Sequence, residues 1–287
     1  MTIQYPSFIH PVIFHIGPFP VRWYGVMYLV GYLVGARIAE RRGERGLVRL
    51  THDDVAAMIG YLMVGMLLGA RLMYAAVYEP GHYFHDPLEF FMIWHGGLSF
   101  HGAVIGMVAA VAIFANRRSL PFFEVADTLA LAGTPGLFFG RLGNFFNAEL
   151  YGRPTHVPWA MIFPTDPLHL PRHPSQLYEA LGEGLLLALF LFWLERRSVA
   201  RHWYRPGVLS VAFLLGYGVI RFLIEFTRQP DPQLGFVWGP FSAGQLLCAG
   251  MIVVGSGLAA YVWRQPPLAA RAAPGASDVI VSPGGRL

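Results

Sequence analysis

Residues 140–152 read GRLGNFFNAELYG and gather reactive side chains at the end of an apolar run. Arg141 brings a guanidinium, Asn144 and Asn147 bring amides, and Glu149 brings a carboxylate. A guanidinium suits a phosphate, which it grips with a planar, two-pronged fork. The glycines Gly140 and Gly143 let the backbone come close to a ligand or a neighbouring helix. A second set lies further on. Tyr217, Arg221 and Glu225 are spaced four apart and share one stripe of a helix. Glu225 is one turn from Arg221, a spacing that lets it pair with the arginine and orient it. His101, in HGGLSFHG, has an ordinary pKa near neutrality and can take up a proton there. These groups describe a site that binds a phosphate and moves a proton.

Each has a plainer reading. Arg141 could snorkel from a helix end, Arg221 and Glu225 could be only an intrahelical pair, and His101 could be a packing residue. Other chemistries fit less well. Ser99 and His101 are two apart, so on a helix they point away from each other. No nucleophile-turn motif and no metal-ligand spacing is present, so no metal or cofactor is expected. The single cysteine, Cys248, excludes an intrachain disulfide. All 21 basic residues are arginine, and they form no nucleic-acid motif.

The elements that position these groups follow from hydropathy. The 287 residues are 55% hydrophobic and 13% charged, with a mean hydropathy of +0.46. Ordinary soluble domains carry about 25% charged residues. Apolar runs at 23–40, 54–78, 96–115, 122–140, 176–194, 207–226 and 243–263 predict an all-α polytopic membrane protein with seven transmembrane helices. The fourth run is interrupted by Gly133, Pro135 and Gly136. Residues 145–175 are polar and proline-rich and predict a small extracytoplasmic cap. Residues 1–263 are read as a single integral-membrane domain. Residues 264–287, rich in alanine, proline and glycine, are expected to be disordered. No charged region precedes an apolar core at the N-terminus, so no cleavable signal peptide is expected.

Arginine sets the orientation. Fourteen arginines fall in one set of loops, four in the other, and Arg71, Arg141 and Arg221 lie within spans or at their ends. The N-terminus is therefore expected outside and the C-terminus in the cytoplasm. In that topology Tyr24 lies near the outer surface and His101 about five residues down, roughly 8 Å at 1.5 Å per residue. Arg141 and Asn144 fall at the outer end of the fourth span. Tyr217, Arg221 and Glu225 occupy the outer third of the sixth. Four helices thus deliver their polar groups to one depth, that of lipid headgroups, and this agreement favours the site over the plainer readings.

The same residues carry a resemblance. GRLGNFFNAELYG resembles the signature of the bacterial prolipoprotein diacylglyceryl transferases. PVIFHIGPFPVRWYGVMYLVG, GGLSFHG, RHPSQLYE and GYGVIRFLIEFTRQPD resemble the family too, in the family's order, over residues 11–263. The resemblance implies transfer of the diacylglyceryl group of phosphatidylglycerol to the thiol of the lipobox cysteine in a prelipoprotein signal peptide. Glycerol phosphate leaves and a thioether forms. It implies a bacterial cytoplasmic (inner) membrane location with the site toward the periplasmic side, and membrane lipids as surroundings. Arg141 and Arg221 would bind and stabilise the phosphate, Asn144 and Tyr24 would position the headgroup, and Tyr217 would add a polar contact. His101 is the favoured base for the thiol, with Glu149 or Glu225 as alternatives, and Gly152 would shape the turn after the signature.

Three rivals are distinguishable. A transporter would show internal repeats or a polar path across the membrane. A lipid-binding scaffold would need the arginines but not His101 with the carboxylates. A phospholipid hydrolase would hand the lipid to water instead of a thiol.

Overall fold

A computed structural model describes residues 3–229, 236–239 and 241–268. Most of the expected disordered tail, from residue 269 on, lies outside the described residues. So does Asp231 of the loop that follows Arg228.

The chain is helical, and among the described residues four helices are long and apolar enough to cross a membrane. They are His52–Tyr78, Phe100–Arg117, Ser175–Ala200 and Ala243–Trp263. Val208–Ile224 is a shorter apolar helix. Large apolar side chains stay exposed along these helices, with Val253 at 72% and Leu189 at 57%. Such surfaces are sustained by lipid, not water. Two of the predicted spans take other forms. Trp23–Glu44 is a 22-residue helix whose last turns carry Arg37, Glu40, Arg41, Arg42 and Glu44. The run at 122–140 is two helices, Phe122–Ala132 and Thr134–Phe146, separated at Gly133. We number the eight helices of more than ten residues among the described residues in chain order: α1 (Trp23–Glu44), α2 (His52–Tyr78), α3 (Phe100–Arg117), α4 (Phe122–Ala132), α5 (Thr134–Phe146), α6 (Ser175–Ala200), α7 (Val208–Ile224) and α8 (Ala243–Trp263).

The described residues fall into two compact units, 3–38 with 127–268, and 39–126. In the second unit, α2 and α3 pack through glycines. A Cβ on Gly69 would collide with Gly102 and Gly106, and one on Gly106 with Gly65 and Gly69. The GxxxG spacing thus brings two backbones into contact. Arg71 is buried in α2 and donates to the carbonyls of Phe90, Glu89, Met92, Gly96 and Gly97, so its charge organises the loop before α3.

In the first unit, Leu131, Leu187, Leu191, Tyr204 and Leu209 form one core cluster. Buried Asp127 accepts from Tyr204 Oη at 2.8 Å, Gly207 N at 2.8 Å and Ser210 N at 2.7 Å, which fixes the start of α7. A second cluster, Phe145, Ala148, Met161 and Phe163, underlies the cap. There a small sheet pairs Ile3–Gln4 with Met161–Ile162 in parallel, and Met161–Ile162 with Pro171–Arg172 antiparallel. Tyr5 Oη donates to the Phe145 carbonyl at 3.0 Å and so satisfies an end carbonyl of α5. Burial pushes the Tyr5 phenol up to about 12.

Candidate functional site

The first unit assembles a buried cluster of charges around Glu179, a residue the sequence reading did not single out. α5 runs on to Phe146, so Arg141 and Asn144 project from a helix and not from a turn after it. α6 supplies Glu179 and, one turn on, Glu183, within a stretch wound as π-helix over Ala180–Leu186. α7 supplies Arg221, and the turn beyond it supplies Glu225 and Arg228. Glycine allows this convergence. A Cβ on Gly184 would sit 2.5 Å from Phe138 Cα, so only glycine lets α6 approach α5 this closely.

Glu179 is fully buried and faces three guanidiniums. Its Oε2 lies 2.7 Å from Arg141 Nε and 2.9 Å from Arg221 Nη1, and its Oε1 lies 2.6 Å from Arg228 Nη1. Arg221 also lies 3.4 Å from Glu183 Oε1 and, through Nη2, 3.1 Å from Glu225 Oε2. Arg228 Nε is 3.4 Å from that same Glu225 oxygen, an ion pair without hydrogen-bond geometry. A charge buried this deeply is tolerated only where partners surround it. Here three arginines and three carboxylates interleave.

Arg141 is the most open of the three, with 23% of its side chain exposed against 20% for Arg228 and 14% for Arg221. Its Nη1 donates to Asn144 Oδ1 at 3.5 Å, while Asn144 Nδ2 donates to Glu149 Oε1 at 2.9 Å. Asn147 Nδ2 reaches the same oxygen at 3.2 Å. Glu149 stands between two residues in the left-handed region, Ala148 at φ 54° and Leu150 at φ 58°. Such backbone is costly for side-chain-bearing residues and persists only where its surroundings impose it. Gln176 Nε2 holds the Glu149 carbonyl at 2.6 Å, and Ser175 Oγ holds that of Leu150 at 3.1 Å.

The remaining first-unit residues gather here too. Tyr24 packs against Gly143, where a Cβ would come 3.0 Å from its ring, and its hydroxyl bonds that of Tyr28 at 3.1 Å. Tyr217 stacks on Phe213 and stands one turn before Arg221 on α7. Gly152 has an ordinary φ. Its missing side chain lets the backbone pass against the Thr227 carbonyl and His173, and its N–H donates to His173 O at 2.8 Å. The cap is thereby fastened to the turn that bears Arg228.

His101 belongs to the other unit. α3 begins at Phe100 and not near Gly96, so His101 lies in the first turn with its ring exposed. Ser99 caps that turn through Gly102 N. Among the described residues no group of three or more His, Cys, Asp or Glu side chains is placed to hold a metal ion.

The cap outside the membrane helices has its own ion pair. Arg172 Nε lies 2.5 Å and Nη2 2.9 Å from the Asp166 carboxylate, and the Arg172 hydrogen bond holds that carboxyl below its ordinary value. Burial lowers the His173 imidazole as well. What the arrangement offers chemically is a cluster of guanidiniums, of which Arg141 is the most exposed, beside a carboxylate, Glu149, that is held by amides.

Residues 11–261 match the family described as prolipoprotein diacylglyceryl transferase. The chain is 45% identical over 265 residues to a phosphatidylglycerol–prolipoprotein diacylglyceryl transferase of Bordetella bronchiseptica, covering 92% of this chain and 99% of that one. It is 46% identical over 265 residues to a protein of the same name from Geobacter sulfurreducens, covering 92% and 98%. A relative of that name in Vibrio vulnificus is 45% identical over 264 residues, covering 92% and 94%.

Proposed function

Because the chain belongs to the prolipoprotein diacylglyceryl transferase family, we propose how its own residues carry out that transfer, the first step of lipoprotein maturation. The donor is phosphatidylglycerol and the acceptor is the lipobox cysteine of a prelipoprotein. The thiol loses its proton to a base, and its sulfur attacks the glyceryl carbon that bears the phosphate. A carbon–sulfur bond forms, the carbon–oxygen bond breaks, and glycerol phosphate leaves with the bonding electrons. The nucleophile belongs to the substrate, and the buried Cys248 plays no part in the reaction.

Charge grows on the departing phosphate, and preorganised donors lower the barrier most where charge grows. The observation that carries the reading is the convergence of Arg141, Arg221 and Arg228 on buried Glu179. Arg141, the most exposed of the three, and Arg221 take the phosphate. Glu179 keeps them from collapsing onto other acceptors. Asn144 and Tyr24 position the headgroup, and Tyr217 adds a polar contact. His101 takes the thiol proton, which a thiol near pKa 8.5 needs at neutrality. Glu149 is the alternative that sits nearest Asn144.

The arginine asymmetry supports seven spans, with the N-terminus outside, the C-terminus in the cytoplasm and the site at the periplasmic side of the bacterial inner membrane.

Phosphatidylglycerol labelled with ¹⁸O at the oxygen joining the diacylglyceryl carbon to phosphorus tests the bond cleaved. With a synthetic lipobox peptide, the label should leave in glycerol phosphate while the peptide gains the diacylglyceryl mass. Label retained in free diacylglycerol, with the peptide unmodified, would instead describe a hydrolase.

A further inference from the structure

Glu225 is joined to a helix end that the mechanism above does not use. Glu225 and Ser242 are 7% and 3% exposed. Ser242 is the N-cap of α8 and forms a capping box with Gln245: its Oγ accepts from Gln245 N at 3.3 Å, and its own N–H donates to Gln245 Oε1 at 3.1 Å. The single hydroxyl proton of Ser242 is free of that box and goes to Glu225 Oε1 at 3.0 Å. The other carboxylate oxygen faces Arg221 at 3.1 Å and Arg228 at 3.4 Å. Two residues into α8, Gly244 leaves the space the carboxylate occupies. A Cβ there would lie 2.8 Å from Oε1, 2.9 Å from Cδ and 3.3 Å from Oε2 of Glu225. The first turn of a helix presents unpaired N–H groups and a partial positive charge, which suits a carboxylate.

We propose that Ser242 and Gly244 are positioning residues for the transfer: they hold the Glu225 carboxylate on the first turn of α8, and Glu225 in turn fixes the Arg221 and Arg228 guanidiniums. This rests on Arg221 being a phosphate ligand. It also gives Glu225 a duty beside the alternative of taking the thiol proton, with Oε1 accepting from Ser242 and Oε2 held only by ion pairs. Gly244→Ala displaces the far end of a flexible side chain and not backbone, so it moves Glu225 without breaking the helix. Gly250, on the same helix, meets nothing within 4 Å and serves as the control.

The experiment compares wild type with Ser242→Ala, Ser242→Thr, Gly244→Ala and Gly250→Ala in nanodiscs, with phosphatidylglycerol and a lipobox peptide. Ser242→Ala and Gly244→Ala should lower kcat about tenfold to hundredfold, with KM for the lipid changing little. Ser242→Thr, which keeps the hydroxyl, should recover most of the loss, and Gly250→Ala should match wild type. Wild-type kcat in both Ser242→Ala and Gly244→Ala would overturn the proposal. So would a loss that Ser242→Thr fails to relieve. A readout without substrate separates this placement from the reaction itself. The carboxylate infrared band of Glu225, assigned by its absence in Glu225→Gln, should shift in Ser242→Ala and Gly244→Ala. A band unmoved in both would overturn the placement. A band that shifts in both variants, while wild type itself transfers no lipid, would fault the reaction and leave the placement standing.

Discussion

Glu179 Oε2 lies 2.7 Å from Arg141 Nε, and the carboxylate that makes this contact is fully buried. The arginine of the signature is thus held by a residue from another helix that also holds Arg221 and Arg228. One carboxylate sets the geometry of three cations, and its loss should be felt at all of them.

Glu179→Gln keeps the shape and removes the charge. Leaving buried partners without their counterion typically costs about 3–5 kcal/mol. The variant should melt earlier in detergent and lose most of its transfer activity, because Arg141, Arg221 and Arg228 no longer share an anchor. Thermal unfolding followed beside the transfer assay checks this. Wild-type melting and turnover together would remove Glu179 from the account.

His101→Gln should lower kcat by about a hundredfold or more at neutral pH, the range for loss of a general base. Near-normal turnover at neutral pH would move the proton to Glu149 or Glu225.

The cap should loosen in acid, in two stages. His173 sits below its ordinary 6.5 because burial disfavours the charged ring. The unfolded chain therefore takes up that proton first, and stability falls as pH drops from 6.5 toward the lower folded value. Asp166 is lowered from 3.8 by its hydrogen bond with Arg172. Its contribution is whole above 3.8 and is lost as pH falls through the folded value. Trp159 reports on this, since its Nε1 donates to Tyr178 Oη at 2.6 Å, and that hydroxyl meets His173 Nδ1 at 3.2 Å. Its fluorescence should change in both windows, and Asp166→Asn should abolish the lower change alone. A single transition that Asp166→Asn leaves in place would contradict this.

How much of this was legible in the sequence depended on contrast with the surroundings. Arg141 and Arg221 stand out because a charge in an apolar run is costly, and the pairing distance between Arg221 and Glu225 follows from helix periodicity alone. Glu179 stands in RHPSQLYE, near the expected start of a span, where a carboxylate passes for an interfacial residue. Glu183, one turn deeper in the apolar run, was the available signal that this face of α6 carries partners for the arginines. Ser242 gave none, because its bond to Glu225 joins residues far apart in helix register. The positive φ values at Ala148 and Leu150 were also illegible, since neither residue type marks a left-handed position. At Gly152 the sequence pointed to a turn, whereas its missing side chain serves the close approach to Thr227. The helix boundaries moved for local reasons. Ser99 caps α3 and sets His101 in its first turn, and Pro135, tolerated near the start of α5, lets that helix begin afresh and carry Arg141 and Asn144.

On this reading Arg141 acts on the departing phosphate and not merely on lipid capture. Single-turnover transfer by Arg141→Ala, measured with the enzyme saturated by phosphatidylglycerol and beside its lipid Kd, tests it most directly. Stabilisation confined to the transition state lowers the rate and spares binding. The rate should fall about a hundredfold or more below wild type, the range for removing one preorganised donor, with Kd within a few fold. A wild-type rate at saturation with Kd raised by the same factor would contradict it and make Arg141 a docking residue.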